Sequence, residues 1–164
     1  MKKYFFLLLS GLLLMPVLFA HTATAQDIKA SGKSPVLGNL KRLHKTYGCD
    51  CKFQTLKEAR TDPANKFVFQ SDLAGTFAWV NIDGKDLKLK LIYASPATNG
   101  VLLGSRSYKK FSAKGISILI RYEVNAVCPE ENPDCDATGF IATITVTSSG
   151  HRQSLKATGM CGWC

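Results

Sequence analysis

The sequence contains few residues that could form an active site. It has only three histidines among 164 residues, and none lies in a His-x-His or His-Glu-x-x-His pattern that would bind a catalytic metal. Neither His44 nor His151 has a carboxylate or nucleophile at a spacing typical of a catalytic triad, and no serine lies in a nucleophile-elbow motif. We therefore expect a protein that is not an enzyme and that has no cofactor.

Long hydrophobic runs are also scarce, since only the N-terminus has one. Lys2 and Lys3 precede an apolar run over residues 5–19, and the small residues Ala23-Thr24-Ala25 follow it. This order is typical of a secretory signal peptide, here residues 1–25. A membrane-spanning helix is the alternative, but the run is short and Pro16 interrupts it. We expect a bacterial periplasmic or secreted protein with no transmembrane segment in the mature chain.

Acidic residues are few: 12 Asp and Glu stand against 21 Lys and Arg, which gives a formal charge of +9. Removal of Lys2 and Lys3 with the signal peptide lowers this charge to +7. Such an excess suits either a well-solvated surface or affinity for an anionic envelope polymer or a protein partner. No nucleic-acid-binding motif is present, and we expect no nucleic-acid partner.

The hydrophobic pattern from residue 66 onward has the period of β-strands. Residues 116–124 alternate apolar and polar side chains, and Asp83-Gly84 lies between two apolar runs, which is a strong signal for a tight hairpin. The fold class is therefore mostly β, an antiparallel β-sandwich or small β-barrel stapled by disulfides. Strands are predicted over residues 51–54, 67–69, 76–82, 87–93, 101–103, 107–111, 116–124, 140–147 and 152–158.

The remaining segments complete the domain organisation. Residues 26–38 are small and polar and predict a flexible N-terminal leader. Residues 39–164 form one β-rich domain that opens with a short helix or loop over residues 39–47. One helical turn is predicted over residues 56–60, ended by Asp62-Pro63.

Six cysteines follow the signal peptide, and an even count in an exported chain favours disulfides. Cys128 and Cys135 enclose a short loop between two strands and are candidates for a local bridge. Cys161 and Cys164 would then bridge to the early pair. The disulfide candidates are Cys49, Cys51, Cys128, Cys135, Cys161 and Cys164.

Two other uses of these cysteines stay open. Four thiolates from Cys49, Cys51, Cys161 and Cys164 would suit Zn²⁺ or Cu⁺. The Cys-x-x-Cys pair could alternatively be redox-active, but such a pair normally lies at a helix N-terminus, and we expect no helix after Cys164.

One stretch resembles a known family. Residues 78–85 (AWVNIDGK), followed by Ser105, Tyr108, Phe111 and Lys114-Gly115, are similar to the middle of the C-type lysozyme inhibitors of bacterial periplasms. The resemblance implies a small disulfide-bonded β-barrel and a Ser105–Tyr108 loop that enters the lysozyme cleft. The sequence departs from the family at Arg106, where the family has glycine.

Taken together, these observations predict a non-enzymatic binding domain, with lysozyme inhibition and thiolate metal binding as alternatives. Binding would use the lysine-bearing face of the strands and the nearby loops. The candidate binding residues are Lys88, Lys90, Ser105, Arg106, Tyr108, Lys109, Lys110 and Lys114.

Overall fold

The chain folds into a closed antiparallel β-barrel, so the mostly β prediction is confirmed and the barrel is the correct one of its two forms. A computed structural model describes residues 34–46, 48–64, 66–96, 101–129 and 135–162. The signal peptide and most of the predicted leader lie outside these residues. The elements are β1 (Leu37–Gly38), β2 (Asp50–Thr55), α1 (Glu58–Thr61), β3 (Phe69–Asp72), β4 (Phe77–Ile82), β5 (Lys85–Ala94), β6 (Arg106–Ala113), β7 (Ile116–Ala126), β8 (Thr138–Ser148) and β9 (His151–Cys161).

The barrel is a simple meander. Each strand from β2 to β8 pairs with the next one along the chain, and β9 returns to pair with β2, which closes an eight-stranded ring. The short strand β1 lies outside the ring order and adds to β4 through Leu37 opposite Ile82. Closure removes the open sheet edges that would otherwise invite pairing between molecules.

Three hairpins at one end of the barrel share the same two-residue turn. Asp83-Gly84, Lys114-Gly115 and Ser149-Gly150 all have positive φ at both residues, between 48° and 80°. This is the type I′ geometry, whose twist matches that of the flanking strands. The predicted turn at 83–84 is therefore confirmed. We call this the turn end, and the opposite end, with the β3–β4, β5–β6 and β7–β8 connections, the loop end.

Aromatic side chains fill the barrel interior. Phe53, Phe69 and Phe111 are fully buried, and Tyr122 and Phe140 pack against Phe53 with ring centroids 5.6 and 6.4 Å away. Tilted and edge-on ring pairs at these separations are favourable beyond the area that they bury. The described interior is packed with side chains, so the surfaces open to a partner lie on the outside of the barrel.

Two disulfides confirm two of the predicted pairings. Cys51 and Cys161 are directly opposed in β2 and β9, with their Cα atoms 4.0 Å apart, so this bridge staples the closing strand pair. Cys128 and Cys135 bridge the β7–β8 connection, with their Cα atoms 5.5 Å apart. Cys49 is also disulfide-bonded, and Cys164 lies outside the described residues.

Residues 39–46 form an extended segment, which we call the strap. Of the two predictions for this segment, the helix is wrong and the loop is confirmed. The strap crosses the outward side of β3–β5. The His44 N–H donates to Gln70 Oε1 at 2.8 Å, and Gln70 Nε2 donates to the His44 carbonyl at 2.9 Å. The His44 ring stacks on Trp79 with centroids 5.2 Å apart. A helix would use these backbone groups internally.

Three other boundaries differ from prediction. The ordered barrel begins within the predicted leader, because Leu37 pairs with β4 and is buried. The strand predicted at 67–69 lies two residues too early, since β3 begins at Phe69. The strand predicted at 101–103 is wrong, because these residues form an exposed turn. The helical turn predicted at 56–60 is confirmed as α1. Of the helices in the described part of the chain, none is long and apolar enough to cross a membrane.

The two bridges should differ in their effect on stability. The Cys51–Cys161 bridge spans 110 residues and the Cys128–Cys135 bridge spans 7. On the loop-entropy account, the long loop contributes about 4.7 kcal/mol and the short one less than about 3 kcal/mol. Because Cys49 is also disulfide-bonded, the long loop opens only when all four terminal cysteines are replaced, and we expect C49A/C51A/C161A/C164A to lower the urea midpoint more than C128A/C135A does. A larger loss in C128A/C135A would contradict this account.

Candidate functional site

The outward side of strands β6–β9, which we call the basic face, has a large excess of cations. Side chains alternate along each strand, and burial of Phe111, Ile120 and Ala157 sets which positions point inward. The one acidic residue in these four strands is Glu123, and it pairs with Arg106 at 2.9 Å. The exposed outward cations are Arg106, Lys110, Arg121, Arg152 and Lys156.

Strands β2–β5, by contrast, carry three acidic residues against four lysines. Asp50 on β2 pairs with Lys52 at 3.1 Å, and Asp86 on β5 accepts from Asn81 Nδ2 at 2.7 Å. Burial alone would raise the pKa of Asp86, but the hydrogen bonds from Asn81 and the Lys41 backbone outweigh burial and hold this pKa below its ordinary value. These carboxylates are thus already paired, and the basic face is the side whose strands have the larger excess of cations over acidic residues.

An open depression of about 500 Å³ lies on the basic face, over β6, β7 and β8. Its floor follows one row of directly paired residues, since Tyr108 lies opposite Arg121 and Arg121 lies opposite Thr143. Lys156 continues the row on β9. Arginine offers a planar fork of donors that matches phosphate or carboxylate oxygens. The depression therefore combines an anion-binding group with an aromatic ring and a hydroxyl.

Two tyrosines stack at the upper edge of this depression, towards the loop end. The rings of Tyr93 and Tyr108 lie 5.4 Å apart at an interplanar angle of 21°. The neighbouring Tyr93 hydroxyl raises the pKa of Tyr108. The Tyr108 N–H donates to Ser95 Oγ at 3.0 Å, so the pair is anchored where β6 begins.

The connection that leads into β6 carries three consecutive exposed apolar side chains, which we call the apolar tip. Val101, Leu102 and Leu103 are 56%, 67% and 67% exposed. The two residues that follow the tip are hydrogen-bonded to the end of β7. The Gly104 N–H donates to the Val124 carbonyl at 2.8 Å, and the Val124 N–H donates to the Ser105 carbonyl at 3.0 Å. The tip thus lies just before the first residue of β6, beyond the loop end of the basic face, and these hydrogen bonds hold its C-terminal side in place.

The structure separates the eight predicted binding residues into four groups. Arg106, Tyr108 and Lys110 lie on the basic face, with Ser105 at the base of the apolar tip. Lys88 and Lys90 point outward from the adjoining strand β5, where Lys88 lies 3.9 Å above the Phe77 ring. Lys114 lies in a hairpin at the turn end. Lys109 points into the barrel.

Lys109 shares the inward side of β6 with Phe111. Its ammonium lies against the chain at Gly75, where an added Cβ would stand 2.3 Å from Lys109 Nζ. Burial lowers the pKa of Lys109, although the Asp72 carboxylate opposes this shift. This lysine at the loop end is therefore separate from the exposed cations.

Sequence reasoning missed Arg121, Arg152 and Lys156 as candidates. The signal was present, because each occupies the polar position of an alternating strand. Sequence reasoning also assigned the apolar tip to a strand, since three apolar residues before a glycine fit a buried strand as well as an exposed turn.

The alternative thiolate metal site does not fit the described cysteines. Cys51 and Cys161 are bonded to each other and Cys49 is disulfide-bonded, so these three sulfurs are not thiolates. Among the described residues, no group of three or more His, Cys, Asp or Glu side chains is placed to hold a metal ion.

The chain matches no protein-family model, no curated protein and no solved structure.

Replacement of Lys109 tests its burial. Because the folded state lowers the pKa of this lysine below its ordinary 10.5, the charged form is disfavoured in the folded protein. We expect K109M to raise the free energy of unfolding at pH 7 by on the order of 1 kcal/mol. The gain should shrink as the pH rises through the lowered pKa towards 10.5, since the folded wild-type lysine then loses its proton.

The matched control is K110M, which removes the adjacent, outward lysine. It should leave stability nearly unchanged at every pH. Equal effects of the two substitutions, measured by urea unfolding over the same pH range, would show that Lys109 does not bear a burial cost.

Proposed function

We propose that this protein is a non-enzymatic binding domain that binds an anionic envelope component through its basic face. The observation that carries the proposal is the five outward cations of β6–β9 against one carboxylate, itself paired with Arg106. The predicted signal peptide supports an envelope or secreted location, and the two described disulfides suit an oxidising compartment.

The spacing of the cations suits an extended anion. Arg121 and Lys156 lie in one row on β7 and β9, and neighbouring strands are about 4.8 Å apart, so the two positions are about 10 Å apart. This is close to the Debye length of about 8 Å at physiological salt. Several phosphate or carboxylate groups on one ligand would therefore feel the cations together, and affinity should fall steeply as salt rises.

Charge reversal tests this use of the face. R121E/K156E should weaken binding of inorganic polyphosphate, a soluble polyanion, by at least tenfold at low salt, because it places two carboxylates in the row that would contact the ligand. Binding is measured by titration calorimetry at low and at physiological salt.

The matched control is K57E/K85E, which makes the same change in net charge at exposed lysines outside the basic face. At physiological salt it should change affinity by less than about twofold, since exposed charges farther away than the Debye length of about 8 Å are screened. Equal losses in the two variants, or no polyphosphate binding by the wild type, would overturn the proposal.

Lysozyme inhibition is the second candidate. It is favoured by the closed barrel, which the resemblance implies, and by the position of Ser105 and Tyr108 beside a projecting turn at the loop end. The cationic surface argues against it where the target lysozyme is also cationic, because like charges oppose approach.

A turbidity assay separates the two candidates. An inhibitor in excess should slow lysis of bacterial cells by a C-type lysozyme, and Y108A should relieve the inhibition. K114A, at the far end of the barrel, is the control and should inhibit like the wild type. Unchanged lysis with excess wild-type protein would remove this candidate.

A further inference from the structure

We infer that the anionic partner is a lipid surface, an anionic bilayer that receives the apolar tip while the basic face contacts its headgroups. This inference rests on the proposed function and specifies the class of partner. A soluble polymer would engage the cations alone and would leave the tip in water.

The apolar tip is the most exposed hydrophobic feature in the described part of the chain. Leu102 and Leu103 have the highest exposed fraction of its large apolar side chains, 67% each. Ile92, at 56%, and Val127, at 42%, belong to the strand ends on the same loop end. Clustered apolar exposure of this kind marks an interaction surface, whereas single exposed apolar residues are ordinary.

The order of residues along the chain suits a membrane interface. Arg106 follows Leu103 by three positions, so their Cα atoms lie at most about 10 Å apart. Each headgroup layer of a bilayer is about 5–8 Å thick. If the tip enters the acyl boundary, Arg106 therefore lies at the level of the headgroups.

Aromatic residues add a second match. Tyr108 follows Arg106 by two positions, about 7 Å farther along the strand, and stacks on Tyr93. Tyrosine is enriched at membrane interfaces because its ring is apolar and its hydroxyl is wet. Arg121, directly opposite Tyr108, places another cation at the same level. Moving away from the apolar tip, the order is therefore Arg106 and then Tyr108 with Arg121, so the cations and the aromatic pair all lie on the water side of the tip.

Charge selects the kind of bilayer. A zwitterionic surface has no net charge and offers the cations of the basic face no net attraction, whereas an anionic surface attracts each basic residue that lies within about a Debye length of it. The apolar tip adds a contribution that salt does not screen. We therefore expect binding that needs both anionic lipid and the tip.

The experiment is vesicle co-sedimentation with the full mature chain. The vesicles are equimolar phosphatidylglycerol and phosphatidylcholine, compared with phosphatidylcholine alone. The test variant is V101S/L102S/L103S, and the matched control is V36S/L43S/L56S, which makes the same changes at exposed apolar residues away from the loop end. Polyphosphate binding is measured for every variant.

We expect wild type and control to bind the anionic vesicles and not the zwitterionic ones. The tip variant should bind the anionic vesicles at least tenfold more weakly while it keeps its polyphosphate affinity. L102W should gain a blue-shifted emission with anionic vesicles that the wild type lacks, because the new indole enters the acyl boundary.

Three results would overturn the inference, and they separate it from the proposed function. Equal vesicle binding by the tip variant and wild type would leave the basic face as the whole site. Polyphosphate binding without vesicle binding would make the partner a soluble polyanion. Failure of the wild type to bind either probe would overturn the inference and the proposed function together.

Discussion

The pairing of β9 with β2 is the constraint on which the rest of the structure depends. It joins the two ends of the meander, and it requires close approach at one point: a Cβ on Gly159 would lie 2.0 Å from the Lys52 carbonyl oxygen. Gly159 lies opposite Phe53, whose ring occupies the centre of the core. The Cys51–Cys161 bridge fixes this pairing two residues farther along each strand. Closure over such a long chain segment is costly in loop entropy, so the bridge has its greatest effect here.

Closure divides the outer surface into two sides with different electrostatics. On the β2–β5 side, the strap covers Trp79 and supplies backbone and ring partners to Gln70 and Asp86. On the β6–β9 side, five cations face one paired carboxylate. Aromatic rings fill the described interior, so a partner would bind to the outer surface and not inside the barrel. Its strands hold the cations at fixed spacing, which would lower the entropy cost of binding the proposed anionic partner.

The sequence predicts the local features of this fold well and the long-range ones poorly. Alternation along residues 116–124 and the Asp-Gly turn at 83–84 depend on neighbouring residues alone, and both are confirmed. A helix was one of the predictions for the strap because Leu40 and Leu43 have helical spacing. Its extended form depends instead on contacts of His44 with Gln70 and Trp79, which are distant in sequence. The adjacent lysines 109 and 110 look alike in sequence. Only burial of Phe111 determines that Lys109 points inward and Lys110 outward.

In the proposed complex with an anionic bilayer, the apolar tip and the basic face contribute through different physical terms. Attraction by Arg106 and Arg121 acts over about a Debye length and weakens with salt, so it orients the barrel before contact. Burial of Leu102 and Leu103 acts only on contact and does not depend on salt. A basic face alone would bind any polyanion without distinguishing a membrane from a soluble polymer. An exposed apolar turn alone would favour association between copies of the protein. Together, on a wall that closure makes rigid, they select a surface that is charged outside and apolar beneath.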